Sequence, residues 1–179
     1  GTGSGSMTIA LATTVGANGR VISYEQKQDT QNLARKNLER VGLASRVDFR
    51  LRDIREGFDE TDADAFFLDV QFPHDYIPQV RAALKPGGFF GTLIPTFNQV
   101  EKTLTALKVN KFAFVEVCEI MLRHYKSDPA RIRPVDRMVA HTGFLIFARR
   151  IEPSEDARGR ELMEEIGAVS LLEEKDQEA

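Results

Sequence analysis

The near-continuous apolar run in DAFFLDV, residues 64–70, restricts the fold of this chain more than any other stretch. A strand without polar alternation is buried on both faces, which is typical of a central strand in a parallel sheet. Other strand-like runs lie before and after it, at residues 20–25, 46–51 and 89–95. We therefore expect several parallel strands with helices on both sides of the sheet.

Helical patterns separate these predicted strands. Residues 27–42 place Leu33, Leu38 and Val41 at roughly helical spacing and end on Gly42, a frequent helix stop. Two further helices are predicted at YIPQVRAALKPGG, which a Pro-Gly-Gly turn closes, and at FNQVEKTLTALKVN, which has one apolar face. This alternation predicts an α/β fold with a doubly wound sheet.

The last two predicted strands differ from the others because no long helix lies between them. They occupy residues 112–122 and 142–150, and the intervening 19 residues from 123 to 141 are polar and contain two prolines. Strands joined in this way favour an antiparallel pair. The predicted fold is therefore a Rossmann-like sheet, mostly parallel, with an antiparallel final strand pair.

Charge is unevenly distributed, although the formal net charge is only −3. Residues 121–150 contain seven Lys or Arg against two acids, a net of +5, and residues 152–179 contain ten acids against three bases, a net of −7. The basic stretch favours an anionic partner. The acidic tail is predicted to be partly helical or disordered, with a partner contact as the alternative.

The single cysteine, Cys118, excludes an internal disulfide framework and favours a reducing compartment, so we expect a cytoplasmic protein. Its apolar surroundings in the sequence indicate a small buried residue rather than a nucleophile. No apolar run approaches the roughly 18 residues of a membrane span. We expect neither a membrane nor a metal among the partners.

A glycine-rich turn, GTGSG, opens the chain and supplies Gly1, Gly3 and Gly5 before a helix-like stretch. Glycines let a backbone turn tightly and approach a ligand closely. Glu25 ends the next predicted strand, 20 residues after Gly5. Because an acid at that point accepts hydrogen bonds from ribose hydroxyls in nucleotide-binding sheets, the pattern predicts a nucleoside-containing cofactor.

The glycine spacing separates two classes of cofactor. Dinucleotide sites use G-x-G-x-x-G, whereas the G-x-G-x-G spacing found here, with Ser6 and Met7 next to it, resembles the S-adenosylmethionine motif. Asp53 follows the strand at 46–51, where similar methyltransferases place an acid against the adenine amino group; a turn residue or helix N-cap is the alternative. We expect S-adenosyl-L-methionine as cofactor and S-adenosyl-L-homocysteine as product.

Four stretches resemble the tRNA adenine-N1 methyltransferases: GTGSGSMTIALATTVG, ISYE, FFLDVQFPHDY and RPVDRMVAHTGFLIFARR. The last is the most discriminating, because its Arg-Pro and His-Thr-Gly-Phe-Leu segments are typical of that family. The resemblance covers residues 1–151. It implies a class I S-adenosylmethionine-dependent methyltransferase that modifies N1 of a T-loop adenine, at family position 58, with position 57 left open as a second target.

The resemblance gives Asp69 a catalytic role and a place beside the cofactor. Its carboxylate, hydrogen-bonded to the 6-amino group, would stabilise the positive charge that develops when N1 is methylated; a strand-end cap is the alternative. The family's second acid and tryptophan are absent after Asp69. Base stacking would therefore fall to Phe72, His74 or Tyr76.

The expected partner is tRNA, whose target adenine must swing out of a folded loop into a pocket. Arg131, Arg133 and Arg137 are the predicted phosphate contacts, with a solvated surface loop as the alternative. His141 is predicted to form part of the substrate pocket wall. By the same resemblance we expect a homo-oligomer, a tetramer as in the family.

The resemblance also implies a small N-terminal β domain and a first strand ahead of the glycine turn, and we expect both to be missing from this chain. A chain without that strand is expected to be inactive, since buried backbone groups would be left unpaired. Two other hypotheses stay open. A methyltransferase acting on a small molecule or protein fits poorly with the basic stretch at 121–150, and a non-catalytic RNA-binding subunit fits poorly with the retained glycines, Glu25 and Asp69.

Overall fold

The computed structural model describes residues 1–152, so the acidic tail lies outside the described residues except for Glu152. Four α-helices occur in the described part: α1 (Ser6–Thr14), α2 (Gln28–Arg40), α3 (Ile77–Ala83) and α4 (Phe97–Val109). Its six strands are β1 (Val21–Glu25), β2 (Val47–Leu51), β3 (Ala63–Leu68), β4 (Leu84–Ile94), β5 (Phe112–Cys118) and β6 (Phe144–Arg150). Strands and helices follow each other in the predicted order.

The strands form two sheets within the described residues. β1 pairs with β2 in parallel, and β3 pairs with β4 in parallel. β6 lies between β4 and β5 and is antiparallel to both. The prediction of an α/β fold with an antiparallel closing pair is confirmed.

The glycine turn lies between the carboxyl ends of β1 and β3. The backbone nitrogen of Gly1 donates to the main-chain oxygen of Asp69 over 3.1 Å, and Oγ1 of Thr2 donates to the main-chain oxygen of Tyr24 over 3.0 Å. Within residues 1–152, β1 pairs only with β2 and β3 only with β4.

Two hydrophobic clusters hold the helices on the sheets. The larger cluster packs α3 and α4 against one face of the four-stranded sheet and includes Ile77, Phe90, Leu107 and Ile146, all fully buried. Burying each such side chain stabilises the fold by about 1.5–3 kcal/mol. The smaller cluster packs α1 and α2 on β1 and β2. Both clusters support the strands whose carboxyl ends carry the candidate site.

α2 buries a different face from the predicted one. Leu38 is fully buried, but Leu33 is 50% exposed and Val41 is also exposed, while Gln31 and Ala34 are buried. Five residues separate Leu33 from Leu38, which corresponds to about 140° around a helix with 3.6 residues per turn. The two leucines therefore cannot share one face.

β3 is covered on one face only within the described residues, so the prediction of cover on both faces is wrong there. Leu68 faces the larger cluster, whereas Phe67 points to the opposite face, where its ring lies 5.7 Å from that of Phe89. Phe67 and Leu93 are exposed on that side. Cys118 is half-buried at the end of β5. No helix in the described part of the chain is long and apolar enough to cross a bilayer.

Candidate active site

The glycine turn requires glycine at Gly5, where the backbone enters α1. Gly5 has φ of 89°, in the left-handed region that other residues rarely adopt. An added Cβ would also lie 3.1 Å from Cδ1 of Leu38 and 3.2 Å from Cβ of Ala34. The turn therefore packs closely on α2, and this contact fixes the start of α1.

Glu25 is a buried acid of the site and is only 8% exposed. Its Oε2 accepts a hydrogen bond from the amide of Gly3 over 3.2 Å, and its Oε1 accepts from the amides of Gln26 and Lys27 over 3.0 Å each. An added Cβ at Gly1 would lie 3.4 Å from Oε2. The end of β1 and the glycine turn thus form one unit around this carboxylate.

An open cavity of about 310 Å³ lies against this unit, at the carboxyl ends of β1, β2 and β3. Its walls are formed by Gly1, Tyr24, Glu25, Gln26, Arg52, Asp53, Ile54, Arg55, Val70 and Tyr76. The structure therefore brings together Gly1, Glu25 and Asp53, three of the predicted cofactor residues. The other predicted cofactor residues are not among the wall residues, although Met7 is exposed on the first turn of α1; they are Gly3, Gly5, Ser6, Met7 and Asp69.

Asp53 both lines the cavity and caps a short 3-10 helix, Ile54–Glu56. Its Oδ1 accepts from the amide of Arg55 over 2.9 Å, and its Oδ2 accepts from Nε and Nη2 of Arg55 over 3.0 and 2.6 Å. These hydrogen bonds from Arg55 lower the pKa of the Asp53 carboxyl below its usual value. Oδ1 accepts only one hydrogen bond and keeps a second lone pair, so the cap leaves acceptor capacity on this carboxylate.

Asp69 follows β3 and is exposed. The strand end before it is fixed, because Oγ1 of Thr92 donates to the main-chain oxygen of Leu68 over 2.6 Å. The bond between Gly1 and the main-chain oxygen of Asp69 links the same point to the glycine turn. Asp69 thus lies at the sheet edge between the first cavity and the loop that follows.

The loop after Asp69 carries the predicted stacking residues. Phe72 is 46% exposed, and its ring lies edge-on to that of His74 with 6.0 Å between centroids. Nδ1 of His74 is buried without a hydrogen-bond partner among the described residues. Tyr76 faces the first cavity. Phe72 is therefore the ring of this loop that is most open to a base.

The three predicted arginines lie on an ordered loop between β5 and β6. Main-chain bonds from Lys126 to the oxygen of Arg133 and from Val135 to the oxygen of His124 pair the two halves of the loop, each over 2.9 Å. Arg131, Arg133 and Arg137 are exposed, and none of the three forms an ion pair with a carboxylate of residues 1–152. Their guanidinium groups are therefore available to an anionic partner.

His141 lines a second cavity, of about 460 Å³, together with Pro95, Thr96, Phe97, Glu119, Ala140 and Phe144. Its Nδ1 lies 2.5 Å from Oε1 of Glu119, and its Nε2 lies 2.7 Å from the main-chain oxygen of Pro95. The Pro95 contact, followed by that of Glu119, raises the pKa of the imidazole above its usual value. Both ring nitrogens are thus engaged within the protein, which leaves the faces of the ring for other contacts.

Of the residues that line this second cavity, only His141 was a predicted site residue, so Glu119 and Phe97 were not expected there. Glu119 has no local pattern that marks it, because its partner His141 is 22 residues away. The start of α4 does have one: Thr96 and Gln99 form a capping box, a spacing visible in the sequence. Nε2 of Gln99 also donates to the main-chain oxygen of Gln71 over 2.7 Å, which fixes α4 to the loop after β3.

Comparison with known proteins supports the family resemblance. A family model described as "tRNA methyltransferase complex GCD14 subunit" matches residues 1–132, which is most of the chain. The chain belongs to the GCD14 family. The match includes the glycine turn, Glu25, Asp53 and Asp69.

Two tRNA methyltransferases and one O-methyltransferase are among the relatives of this GCD14-family chain. A tRNA (adenine(57)-N(1)/adenine(58)-N(1))-methyltransferase TrmI from Methanocaldococcus jannaschii is 33% identical over 83% of this chain and 62% of its own length. A solved tRNA (m1A58) methyltransferase TrmI from Aquifex aeolicus is 38% identical with a TM-score of 0.76, covering 86% of this chain and 61% of that one. A solved SAM-dependent O-methyltransferase from Thermotoga maritima is 50% identical with a TM-score of 0.83, covering 87% and 58%. The chain thus spans about three fifths of the length of these relatives.

Proposed function

We propose that this protein transfers a methyl group from S-adenosylmethionine to N1 of an adenine in the T-loop of tRNA, at position 58. The observation that carries the proposal is the Glu25 carboxylate, held by three backbone amides at the wall of the first cavity beside Gly1 and Asp53. Family membership and the names of the M. jannaschii and A. aeolicus relatives supply the substrate class.

The wall of the first cavity fits the chemistry of the cofactor. Glu25 offers its remaining acceptor capacity, on Oε2, to a ribose hydroxyl, and Asp53 offers an acceptor for the adenine amino group. A side chain at Gly1 would fill the space beside Oε2 of Glu25, so glycine there keeps the carboxylate accessible. The turn from Gly1 to Met7 is the part of the site proposed to hold the methionine end.

S-adenosylmethionine supplies an electrophilic methyl group. Adenine N1 carries a lone pair and needs no base, but the adenine becomes a cation when it is methylated. We assign Asp69 to accept a hydrogen bond from the 6-amino group, because a fixed carboxylate there offsets the developing charge. Methyl transfer also requires that adenine N1 lies in line with the methyl group. The residues around Asp69 must hold the base in that position.

The RNA is held by contacts outside the first cavity. Arg131, Arg133 and Arg137 are exposed and unpaired with carboxylates of the described residues, which suits contacts to phosphates. Phe72 offers an exposed ring beside Asp69 for stacking on an extruded base. These RNA contacts form part of the proposal. We also propose that the protein acts in the cytoplasm.

Self-association is the assembly that we propose. The loop between β5 and β6 exposes several large apolar side chains, namely Ile120, Met121, Leu122, Ile132 and Val139. Exposed apolar patches of this kind mark interaction sites. Light scattering of the full-length protein tests the proposal, and a monomer at micromolar concentration contradicts it.

Methyl transfer to a hydroxyl oxygen is the second candidate, favoured by the name of the T. maritima O-methyltransferase, which is 50% identical to this chain. The two reactions make different demands, because a hydroxyl must lose a proton before or during transfer and adenine N1 has none to lose. Turnover of an O-methyltransferase would therefore need a base beside the acceptor.

One experiment separates these functions. The full-length protein is incubated with unmodified tRNA and isotope-labelled S-adenosylmethionine, and the product is digested and mapped by mass spectrometry. We expect label in 1-methyladenosine of the T-loop. Label in a ribose 2′-O-methyl group, or no label in tRNA under conditions where cofactor binds, would overturn the proposal.

A further inference from the structure

Three aromatic rings meet in the second cavity, and one of them is largely open to solvent. Phe97 is 75% exposed, and its centroid lies 4.6 Å from that of Phe144 at an interplanar angle of 47°. The ring of His141 lies 4.8 Å from Phe144 on a tilt of 49°. An exposed phenylalanine at the rim of a cavity of about 460 Å³ offers a flat apolar face to a ligand.

The side-chain hydrogen-bond donors of this cavity, His141 and Thr96, are already used within the protein. Both nitrogens of His141 lie on acceptors, and Oγ1 of Thr96 donates to Oε1 of Gln99 over 2.8 Å. A ligand therefore finds ring faces rather than a pattern of free hydrogen-bond donors. This favours stacking, which tolerates any planar base, over readout of base edges.

The cavity lies at the root of the charged loop. We call residues 120–140 the basic arm; it leaves the sheet after Glu119 and returns at Ala140 and His141, all of which line the cavity. The basic arm contains five Lys or Arg and two Asp. The cations that would contact phosphates thus flank a site that would contact a base, a combination typical of single-stranded nucleic-acid binding.

The cavity also lies beside the proposed reaction centre without including it. β3 and β4 are parallel, so Asp69 and Pro95, which follow them, lie at the same sheet edge. The bond from Gln99 to Gln71 joins the rim of the cavity to the loop after Asp69. Asp69 is not one of the residues that line the second cavity. An adenine held by Asp69 would therefore leave this cavity free.

The geometry points to a second nucleobase site: the cavity binds an unpaired base of the tRNA adjacent to the methylated adenine, stacked on Phe97. This inference rests on the proposed function for the identity of the RNA. It assigns to Phe97 a role in holding the unfolded segment of the loop, so that the target base stays extruded. Base stacking on one aromatic side chain corresponds to a change of about 5- to 150-fold in affinity.

The test compares Phe97→Ala, Phe97→Leu and Phe97→Tyr with Phe114→Ala as a matched control. Phe114 is 80% exposed on β5, so its truncation removes an equally exposed ring elsewhere. Dissociation constants for an unmodified tRNA transcript are measured at fixed salt on the full-length protein. The affinity for S-adenosylhomocysteine and the melting temperature are recorded for every variant to confirm an intact fold.

We expect Phe97→Ala and Phe97→Leu to weaken tRNA binding at least about 5-fold, Phe97→Tyr to stay within about 3-fold of the parent, and Phe114→Ala to change little. Binding of Phe97→Ala within about 2-fold of the parent would overturn the inference. So would full binding by Phe97→Leu, since that would indicate apolar packing rather than stacking. If the parent binds tRNA through Phe97 but produces no 1-methyladenosine, the proposed function fails and the base site stands.

Discussion

The amide of Gly3 donates to Oε2 of Glu25 over 3.2 Å, and this bond joins the glycine turn to the end of β1. Oε1 of the same carboxylate accepts from the amides of Gln26 and Lys27. Glu25 is therefore a structural acceptor for three backbone groups as well as a proposed ligand for the ribose. Substitutions of Glu25 should therefore affect both the stability of the fold and the affinity for the cofactor, and to different extents.

We expect Glu25→Ala to lower both stability and cofactor affinity. Removing the carboxylate leaves three partly buried amides without their acceptor, at a cost of up to about 1–3 kcal/mol. Glu25→Gln keeps one acceptor oxygen, so it should be more stable than Glu25→Ala. Its affinity for S-adenosylhomocysteine should still fall at least about tenfold, which corresponds to about 1.4 kcal/mol of binding free energy. Thermal melting and isothermal titration calorimetry separate the two effects. Glu39→Gln, an exposed position on α2, is the control; unchanged affinity in Glu25→Gln contradicts the proposed role.

Asp69→Ala should strongly lower turnover and leave cofactor binding intact. The side chain is exposed and is not part of the first cavity wall, so its removal creates no buried defect. The loss of a preorganised charge opposite the developing cation should lower kcat by about 100- to 1000-fold. Single-turnover methylation of tRNA measures this effect. Asp62→Ala removes an exposed acid just before β3 and should behave like the parent; equal rates for both variants would remove Asp69 from the mechanism.

Substitution of the basic arm should change the salt dependence of tRNA binding. Removal of one phosphate contact lowers the slope of log affinity against log salt by about 0.7–0.9. We expect the slope to fall by about 0.7–0.9, the value for one phosphate contact, in each of three variants: Arg131→Gln, Arg133→Gln and Arg137→Gln. Lys102→Gln carries the same charge change on the exposed side of α4 and should leave the slope unchanged. A common shift in affinity at an unchanged slope would indicate an effect other than phosphate contact.

The order of strands and helices could be predicted from the sequence. The apolar run at 64–70 and the alternation of strand and helix patterns around it are local features, because each depends only on residues close together in the chain. The approach of the glycine turn to Glu25 was also predictable, because parallel strands bring their carboxyl ends to one edge. The contacts of His141 with Glu119 and Pro95 were not, because they join positions 22 and 46 residues apart that have no shared pattern. The exposure of Leu33 shows a related limit: its spacing from other apolar residues indicates the buried face of α2, although the side chain lies on another side.

The last prediction concerns the pH dependence of stability and tests His141. Both nitrogens of His141 lie on acceptors, so both must carry a proton to donate, and the pKa of the imidazole is raised by the Pro95 carbonyl and by Glu119. A raised folded-state pKa adds stability that is complete below the unfolded value of about 6.5 and is lost as pH rises through the folded value.

We therefore expect the melting temperature of the parent to exceed that of His141→Ala most near pH ~6, and the difference to shrink as the pH increases towards ~9. Glu119→Gln should move the titration of His141, followed by NMR of the ring proton, towards lower pH because it removes a charged acceptor. His124→Ala, which removes an exposed histidine from the basic arm, supplies the background change in melting temperature. A stability difference that grows with pH would show that His141 is held as the neutral imidazole, and Pro95 and Glu119 would then need another donor.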